Sequence, residues 1–360
     1  MGATDDGATG PAAAPGPPLP GDDAPPPAGR SRRGPTIYDV ATAAGVAAST
    51  VSRTFSRPGR VNPETAERIR AVAASLGYRA NPLARALPTG RTSLIALVVS
   101  DVTNPVYFQV IRGAEREASA ADYTLLVVDV HESAAVERKA LERSIPLVEG
   151  VVLGTSRMSD ATIRTVAQQR PTVVLNRVVP GLPSVVTDNA RGVRRALEHL
   201  GELGHTSVTY VAGPEASWAD GMRWRAMREA GIELSMRVHR LGPVAPTLEG
   251  GKEIAPVVVR ERATAVVAYN DLIAIGLMQG LSRMGRVVPR DCSVVGFDNI
   301  FGAELTTPTL TTVSAPLPAL GAYAVRTLLT EIASRAPHET RPALMPAQLV
   351  VRRSTGCPPD

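Results

Sequence analysis

TIYDVATAAGVAASTVSRTFSRPGRVNPETAERIRAVAASLGYRANPLARALPTGRT, residues 36–92, is the stretch whose reading decides the fold. Thr36 can cap a helix in which Ile37, Val40, Ala41 and Ala44 recur at helical spacing, and Gly45 is the residue type that ends a helix in a left-handed turn. A second short helix starts near Ala48 and runs through Arg53. Val46, Val51 and Phe55 are placed to pack inward, leaving small polar groups and one guanidinium outside. Helix, glycine turn, helix is the grammar of a helix-turn-helix, whose second helix enters a major groove.

A third helix is announced by Asn62 as cap and Pro63 at the first position, with Ala66, Ile69, Val72, Ala73 and Leu76 as one apolar stripe before Gly77. The same signals then recur in miniature, with Asn81, Pro82, a turn from Leu83 to Leu87, and Pro88 as the stop. So short a helix is marginal alone, since segments under about 12 residues rarely form in water. It reads as a hinge that orders on DNA.

VATAAGVAASTVSR followed by RVNPETAERIRAVAASLGYRANPLARAL resembles the headpiece and hinge of the lactose/galactose repressor (LacI) family of bacterial transcription regulators. The resemblance implies a DNA-facing set of Thr36, Tyr38, Ala48, Ser49, Thr50, Ser52, Arg53, Asn81, Arg85 and Leu87. Ala48, Ser49 and Arg53 match the family's base-contacting positions, and Leu87 matches a leucine that wedges between base steps in the minor groove. Where the family usually has a serine before this pair, Ala47 stands here, so the second helix lacks a cap.

The charge agrees. The chain of 360 residues has a net charge of +5, but residues 30–92 alone carry 11 Arg against Asp39, Glu64 and Glu67, a net of +8. Phosphate contacts by such a segment release counterions. Arg30, Arg32 and Arg33 extend it as an arm ahead of the first helix. Residues 1–35 are mostly Pro, Ala and Gly, with Leu19 the one large aliphatic after Met1, and this composition does not offset its ordering entropy. No apolar run follows the initiator and none of 18 residues occurs anywhere, so a cytoplasmic protein is expected. Cys292 and Cys357 are too few for a disulfide framework.

From Ser93 the texture changes to β-branched strands alternating with helical segments, the signal for parallel α/β sheets. LIALVVSD (94–101), TLLVVDV (124–130) and GVVLG (150–154) form one set, and VTYVAG (208–213), AVVAYN (265–270) and SVVGFD (293–298) a second, with helices over 106–121, 136–147 and 273–284. Two doubly wound subdomains bind ligands beyond the carboxyl ends of their strands. Asp101, Asn104, Asn176-Arg177, Asp188-Asn189, Asn270-Asp271 and Asp298-Asn299 all stand at such ends. The resemblance extends here to the periplasmic-binding-protein-like effector domain of the family. It implies that Asn176, Arg223, Asn270 and Asp298 hydrogen-bond an effector and that the ring of the Tyr107-Phe108 pair packs on it. With Asp101 these residues form the expected effector site. Amides and carboxylates bind hydroxyls, Arg adds a fork and an aromatic face covers a sugar or heterocycle. The chain departs from the family at Ala226 (a Gly elsewhere), at Gly242-Pro243-Val244-Ala245 (where an aromatic is frequent) and at Thr311-Thr312-Val313-Ser314-Ala315 (no Gln). Trp218 and Trp224 are alternative sources of an indole.

No nucleophile elbow, phosphate loop or metalloprotease motif is present, and the five His are scattered, so no enzyme, metal or cofactor is expected. The fold class is α/β: a tail (1–35), a three-helix headpiece (36–80), a hinge (81–92), and an effector domain with an N-subdomain (93–188, 317–342) and a C-subdomain (189–316, 343–356). The expected function is a regulator, a repressor in most of the family, that binds a pseudo-palindromic operator as a homodimer under control of a sugar or related metabolite. Its rivals are a DNA-binding regulator controlled by a protein partner or without effector, and a sugar-binding protein without DNA work. No heptad tail follows Arg353, so no zipper tetramer is expected.

Overall fold

The computed structural model of the chain describes residues 34–56, 59–78, 92–334 and 341–359. The chain divides into two compact units, Met1–Thr89 and Gly90–Asp360. The expected hinge, with Asn81, Arg85 and Leu87, and nearly all of the expected tail lie outside the described residues.

In the first unit, α1 (Ile37–Ala44), α2 (Ala48–Ser56) and α3 (Pro63–Ser75) share one small core of Val40, Ala41, Ala44, Val51, Ile69 and Ala73. Thr36 begins α1 with a reciprocal cap: its hydroxyl accepts the Asp39 N–H at 3.4 Å, and the Asp39 carboxylate accepts the Thr36 N–H at 2.7 Å. Thr36→Ala removes a capping oxygen, which costs about 1 kcal/mol. Amide exchange at Val40 and Ala44 in the full-length variant should be about fivefold faster, and unchanged rates would show that the cap contributes nothing. Gly45 does take the left-handed conformation, φ 64°. Leu76 leaves the expected stripe, because α3 ends at Ser75 and Leu76 is 40% exposed beyond its last turn. The chain turns at Gly77, and Tyr78 folds back to meet Phe55 with ring centroids 6.0 Å apart.

The second unit holds two six-stranded sheets. In the first the spatial order is β11 (Ala343–Met345), β5 (Ser184–Thr187), β4 (Thr172–Leu175), β3 (Gly150–Gly154), β1 (Leu94–Val99) and β2 (Thr124–Asp129), all parallel. In the second it is β12 (Gln348–Val350), β10 (Thr311–Ser314), β9 (Ser293–Asp298), β8 (Ala265–Ala268), β6 (Ser207–Val211) and β7 (Arg237–Leu241), parallel except for β12. Each sheet reverses its strand order beside its first strand, the topological switch point where open α/β sheets hold ligands. Residues 95–99 of β1 are all buried, as a strand covered on both faces requires.

The chain passes between the subdomains three times, after β5, after β10 and between β11 and β12. The last crossing corrects the expected boundary, which gave 343–356 to the second subdomain. Ala343, Leu344 and Met345 pair with Val185, Val186 and Thr187 in the first sheet. Three residues are too short a run to announce their sheet, and the pairing is with a strand some 160 positions away.

Helices cover both faces of the sheets. α4 (Val106–Ala120) lies against α12 (Leu317–Ala333), and α9 (Leu248–Arg260) against α10 (Asp271–Arg283). Both pairs approach backbone to backbone: a Cβ at Gly321 would collide with the Val110 carbonyl, and one at Gly276 with that of Leu248. The remaining helices are α5 (Ala134–Ser144), α6 (Asp160–Gln169), α7 (Asn189–Glu202), α8 (Trp218–Glu233) and the single turn α11 (Gly302–Leu305).

Candidate functional site

On α2, Val51 and Thr54 are buried while Ser49 and Arg53, one helical turn apart, are exposed on the opposite face. Ala48, Thr50 and Ser52 are half-buried at its flanks, and Tyr38 on α1 is 72% exposed. The first turn of α2 closes on the Ala47 carbonyl, which accepts the Thr50 and Val51 N–H groups at 2.8 and 3.3 Å. Thr36 is engaged in its capping box. An exposed helix with one guanidinium and small polar neighbours is compatible with entry into a groove.

The second unit brings strand ends of both sheets into one crevice. From the first subdomain come Ser100, Asn104, Tyr107, Glu132, Thr155, Arg157 and Asn176; from the second come Ala219, Arg223, Pro246, Tyr269, Asn270 and Asp298. Of the expected effector residues, Tyr107, Asn176, Arg223, Asn270 and Asp298 are therefore together. Asp101 and Phe108 are not on these walls. The Asp101 carboxylate accepts the Thr103 N–H and hydroxyl at 2.8 and 2.6 Å, stabilising its own turn. Phe108 stacks on Phe301, centroids 6.4 Å apart.

Arg223 is 8% exposed, and each nitrogen of its guanidinium donates one hydrogen bond. Nε donates to Asn189 Oδ1 at 3.0 Å, Nη1 to the Tyr269 carbonyl and Nη2 to Asp298 Oδ1 at 3.4 Å. It lies 3.5 Å from the ring centroid of Phe297 and 4.9 Å from that of Tyr269, two contacts that hold the fork flat. Asp298 itself takes a left-handed backbone conformation, φ 102°. Burial pushes its carboxyl up to about 6, more than Arg223 draws it down. Behind it, the buried Asp271 carboxylate accepts the Ile300 N–H at 2.8 Å and the Thr312 hydroxyl at 2.5 Å, fixing the loop that carries Asp298. Burial, then the Asp298 charge, raises the Asp271 carboxyl well above its ordinary range. Asn270 is also a helix cap: its Oδ1 accepts the Ile273 N–H at 2.9 Å, and its Nδ2 donates to the Pro246 carbonyl at 3.2 Å.

The opposite wall contains an ion pair that the sequence reading missed. Arg157 donates through Nε and Nη2 to Glu132 Oε2, at 2.6 and 2.5 Å, while Glu132 Oε1 accepts the Ser100 hydroxyl at 2.7 Å. Ser100, Tyr107 and Thr155 then bond to one another, and burial raises the Tyr107 phenol to about 12. Glu132 and Arg157 follow the ends of β2 and β3, so the strand-end rule that picked out Asn176 and Asp298 applies to them equally. Glu132, Thr155, Asn176 and Asp298 all have left-handed φ, four of the ten such non-glycine residues among those described. Backbone strain of this kind concentrates where a site over-determines its side chains.

The space left between these side chains is narrow, about 40 Å³. Larger clefts of about 610 and 620 Å³ lie along α10 with 305–308, and around His205, Arg237 and His239. Neither collects side chains from both subdomains. Neither indole lines the crevice: Trp224 stacks on Tyr210, centroids 6.1 Å apart, against the second core. His199 bonds Thr355 at 2.9 Å; His205 is buried between Ser293 and Thr264.

Comparison with known proteins places this geometry in context. A profile described as bacterial regulatory proteins, lacI family, matches residues 36–81, and one described as a periplasmic binding protein-like domain matches 197–355. The HTH-type transcriptional regulator DegA of Bacillus subtilis (strain 168) is 34% identical over 336 residues, covering 89% of this chain and 98% of the relative. The lac repressor dimer bound to operator and the anti-inducer ONPF superposes with a TM-score of 0.80 at 25% identity, over 90% of this chain and all of that one. A LacI family transcriptional regulator from Enterococcus faecium with bound ribose gives 0.65 at 27% identity, over 73% of this chain and 98% of that one.

Proposed function

Because the chain belongs to the LacI family of bacterial regulatory proteins, we propose that its crevice holds a small polyhydroxylated effector that sets the affinity of a dimeric repressor for its operator. The protein is a DNA-binding transcriptional regulator with no catalytic role, acting in the cytoplasm on a pseudo-palindromic site. Headpiece residues Ala48, Ser49 and Arg53 read bases, and Thr36, Tyr38, Thr50 and Ser52 complete the headpiece's part of the proposed contact set. Asn81, Arg85 and Leu87 belong to the proposed contact set on the resemblance alone.

The observation that carries the effector reading is the convergence of strand ends from both sheets. Each wall offers a carboxylate beside a guanidinium, Glu132 with Arg157 and Asp298 with Arg223. A hydroxyl donates to the first and accepts from the second, and the two pairs together are formally neutral, which suits a neutral polyol. A ligand gripped from both sides biases the relative position of the subdomains, and by linkage operator and effector change each other's affinity by the same factor. Gel shifts on a palindromic operator, with and without each member of a sugar and nucleoside panel, test this. Failure of every compound to change either melting temperature or operator affinity refutes effector control.

Asp298 gives the effector response a pH signature. Its folded carboxyl titrates near 6 instead of 3.8, so the protonated form is favoured by folding and the ionised form weakens the fold as pH rises through that window. Hydroxyl recognition needs the ionised acceptor. Effector affinity should therefore fall as pH drops through about 6, and Asp298→Asn should remove both the step and a factor of roughly 10 to 150, as for hydrogen bonds to charged groups. Calorimetric titration from pH 5 to 8 decides it; a flat wild-type profile excludes Asp298 as an acceptor.

A further inference from the structure

The cleft of about 620 Å³ in the second subdomain begins at the amino ends of its strands. β6 and β7 run in register with Ser207 beside Arg237 and Thr209 beside His239, which puts these four side chains on one face of the sheet. All four line the cleft, and so does Arg262 from the turn at 261–264 that joins α9 to β8. The next pair along the same face, Val211 and Leu241, is apolar, as a sheet beneath helices requires. The two polar pairs break that rule.

These polar groups are not engaged by the fold. Thr209 is only 5% exposed, yet its hydroxyl has no hydrogen-bond partner among the described residues. The side chains of Ser207, Arg237, His239 and Arg262 likewise form no hydrogen bond or ion pair among those residues. The carboxylates close by are already paired, Glu261 with Arg260 at 3.5 Å and Asp220 with Arg240 at 2.9 Å. His205 also lines the cleft but serves the fold. Its Nε2 lies 3.0 Å from the Gly356 carbonyl, which can only accept, so Nδ1 accepts the Thr264 hydroxyl at 3.2 Å. Burial lowers the pKa of this imidazole and keeps it neutral. Two guanidiniums, Arg237 and Arg262, are left without a counter-charge in a concave polar site. Water can satisfy the Thr209 hydroxyl, but it brings the guanidiniums no charge.

We propose that this cleft is a second ligand site, separate from the effector crevice, that takes the phosphoryl group of a small phosphorylated compound. A phosphate monoester carries a charge of about −1.5 to −2 at neutral pH, which balances two guanidiniums. Each guanidinium can fork to its oxygens, and the Ser207 and Thr209 hydroxyls donate to those that remain. A carboxylate brings one charge and two oxygens, and leaves one arginine unbalanced. The cleft falls within the range of small-molecule sites, about 300 to 1,000 Å³, so there is room for an organic part beyond the phosphoryl group. Because every lining group belongs to one subdomain, the site does not depend on what the crevice binds.

The test is calorimetric titration of the full-length protein at constant ionic strength with inorganic phosphate, glycerol 3-phosphate and ribose 5-phosphate, beside acetate, glycerol and ribose. Arg237 and Arg262 are exposed, and Thr209→Val keeps the shape of the side chain, so the variants fold. Inorganic phosphate should bind at millimolar concentration, and at least one of the two esters more tightly. Arg237→Gln, Arg262→Gln and Thr209→Val should each weaken that binding by roughly 10-fold or more. Arg138→Gln, an exposed arginine of the first subdomain, should not change it. Operator affinity measured without any phosphate compound should be the same for Arg237→Gln as for wild type. The proposal is overturned if no phosphate compound binds, if acetate binds as tightly as phosphate, or if the three cleft variants bind phosphate as wild type does. Loss of operator affinity in Arg237→Gln without phosphate would assign that arginine to DNA and overturn it equally.

Discussion

Arg223→Ala should destabilise the effector domain by about 3 to 5 kcal/mol, the range for removing one partner of a buried ion pair. Three groups lose their donor together: Asn189 Oδ1, the Tyr269 carbonyl and the Asp298 carboxylate. The rings of Phe297 and Tyr269 then face a void where the guanidinium lay. Asp298 limits the damage, because a carboxyl already raised to about 6 by burial rises further when its cation is removed and protonates near neutrality. The variant should accordingly recover part of its loss below pH 6. Arg223→Lys should not restore wild-type stability, since one ammonium cannot span three acceptors set in a plane. Urea unfolding followed by the fluorescence of Trp224 at pH 5.5 and 7.5 measures both statements. A loss below 1 kcal/mol at pH 7.5 would mean that Arg223 is held by the site without supporting it.

Arg53→Ala should cost about 1 to 3 kcal/mol, roughly 5- to 150-fold, at one base position in each half-site. The side chain is exposed on α2 at the spacing that aligns it with Ser49, and Val51 on the opposite face anchors the helix in the core. A guanidinium can fork to the two acceptors of a guanine, which no other residue exposed on α2 can do. Salt dependence separates this role from a phosphate contact. Loss of a phosphate contact weakens all sequences alike and lowers the salt slope by about one. Loss of a base contact changes the preferred sequence. Operator selection with the variant, repeated at two salt concentrations, distinguishes them, and an unaltered preference removes Arg53 from the reading set.

Much of this was legible in the sequence because it depends on neighbours in the chain. A left-handed φ at Gly45, a cap at Thr36, proline at the start of α3 and the buried run 95–99 each follow from a few adjacent side chains. So does the position of Asn176, Asn270 and Asp298 at strand ends, since strand and helix periodicity locate those ends directly. Which strand ends share a crevice is a different kind of fact. Glu132 and Arg157 stand 25 positions apart, Arg223 and Asp298 stand 75 apart, and their pairing exists only once two sheets have wound and three crossings have set them face to face. The same holds for β11, whose three residues acquire a sheet only by docking on β5, and for Phe108, which the family resemblance offered as an effector-packing residue and which stacks on Phe301. Sequence alone determined the headpiece, the alternation of strands and helices and most of the residues available to bind. Tertiary structure decided which of them meet, because electrostatic and aromatic contacts act over a few ångströms of space and take no account of distance along the chain.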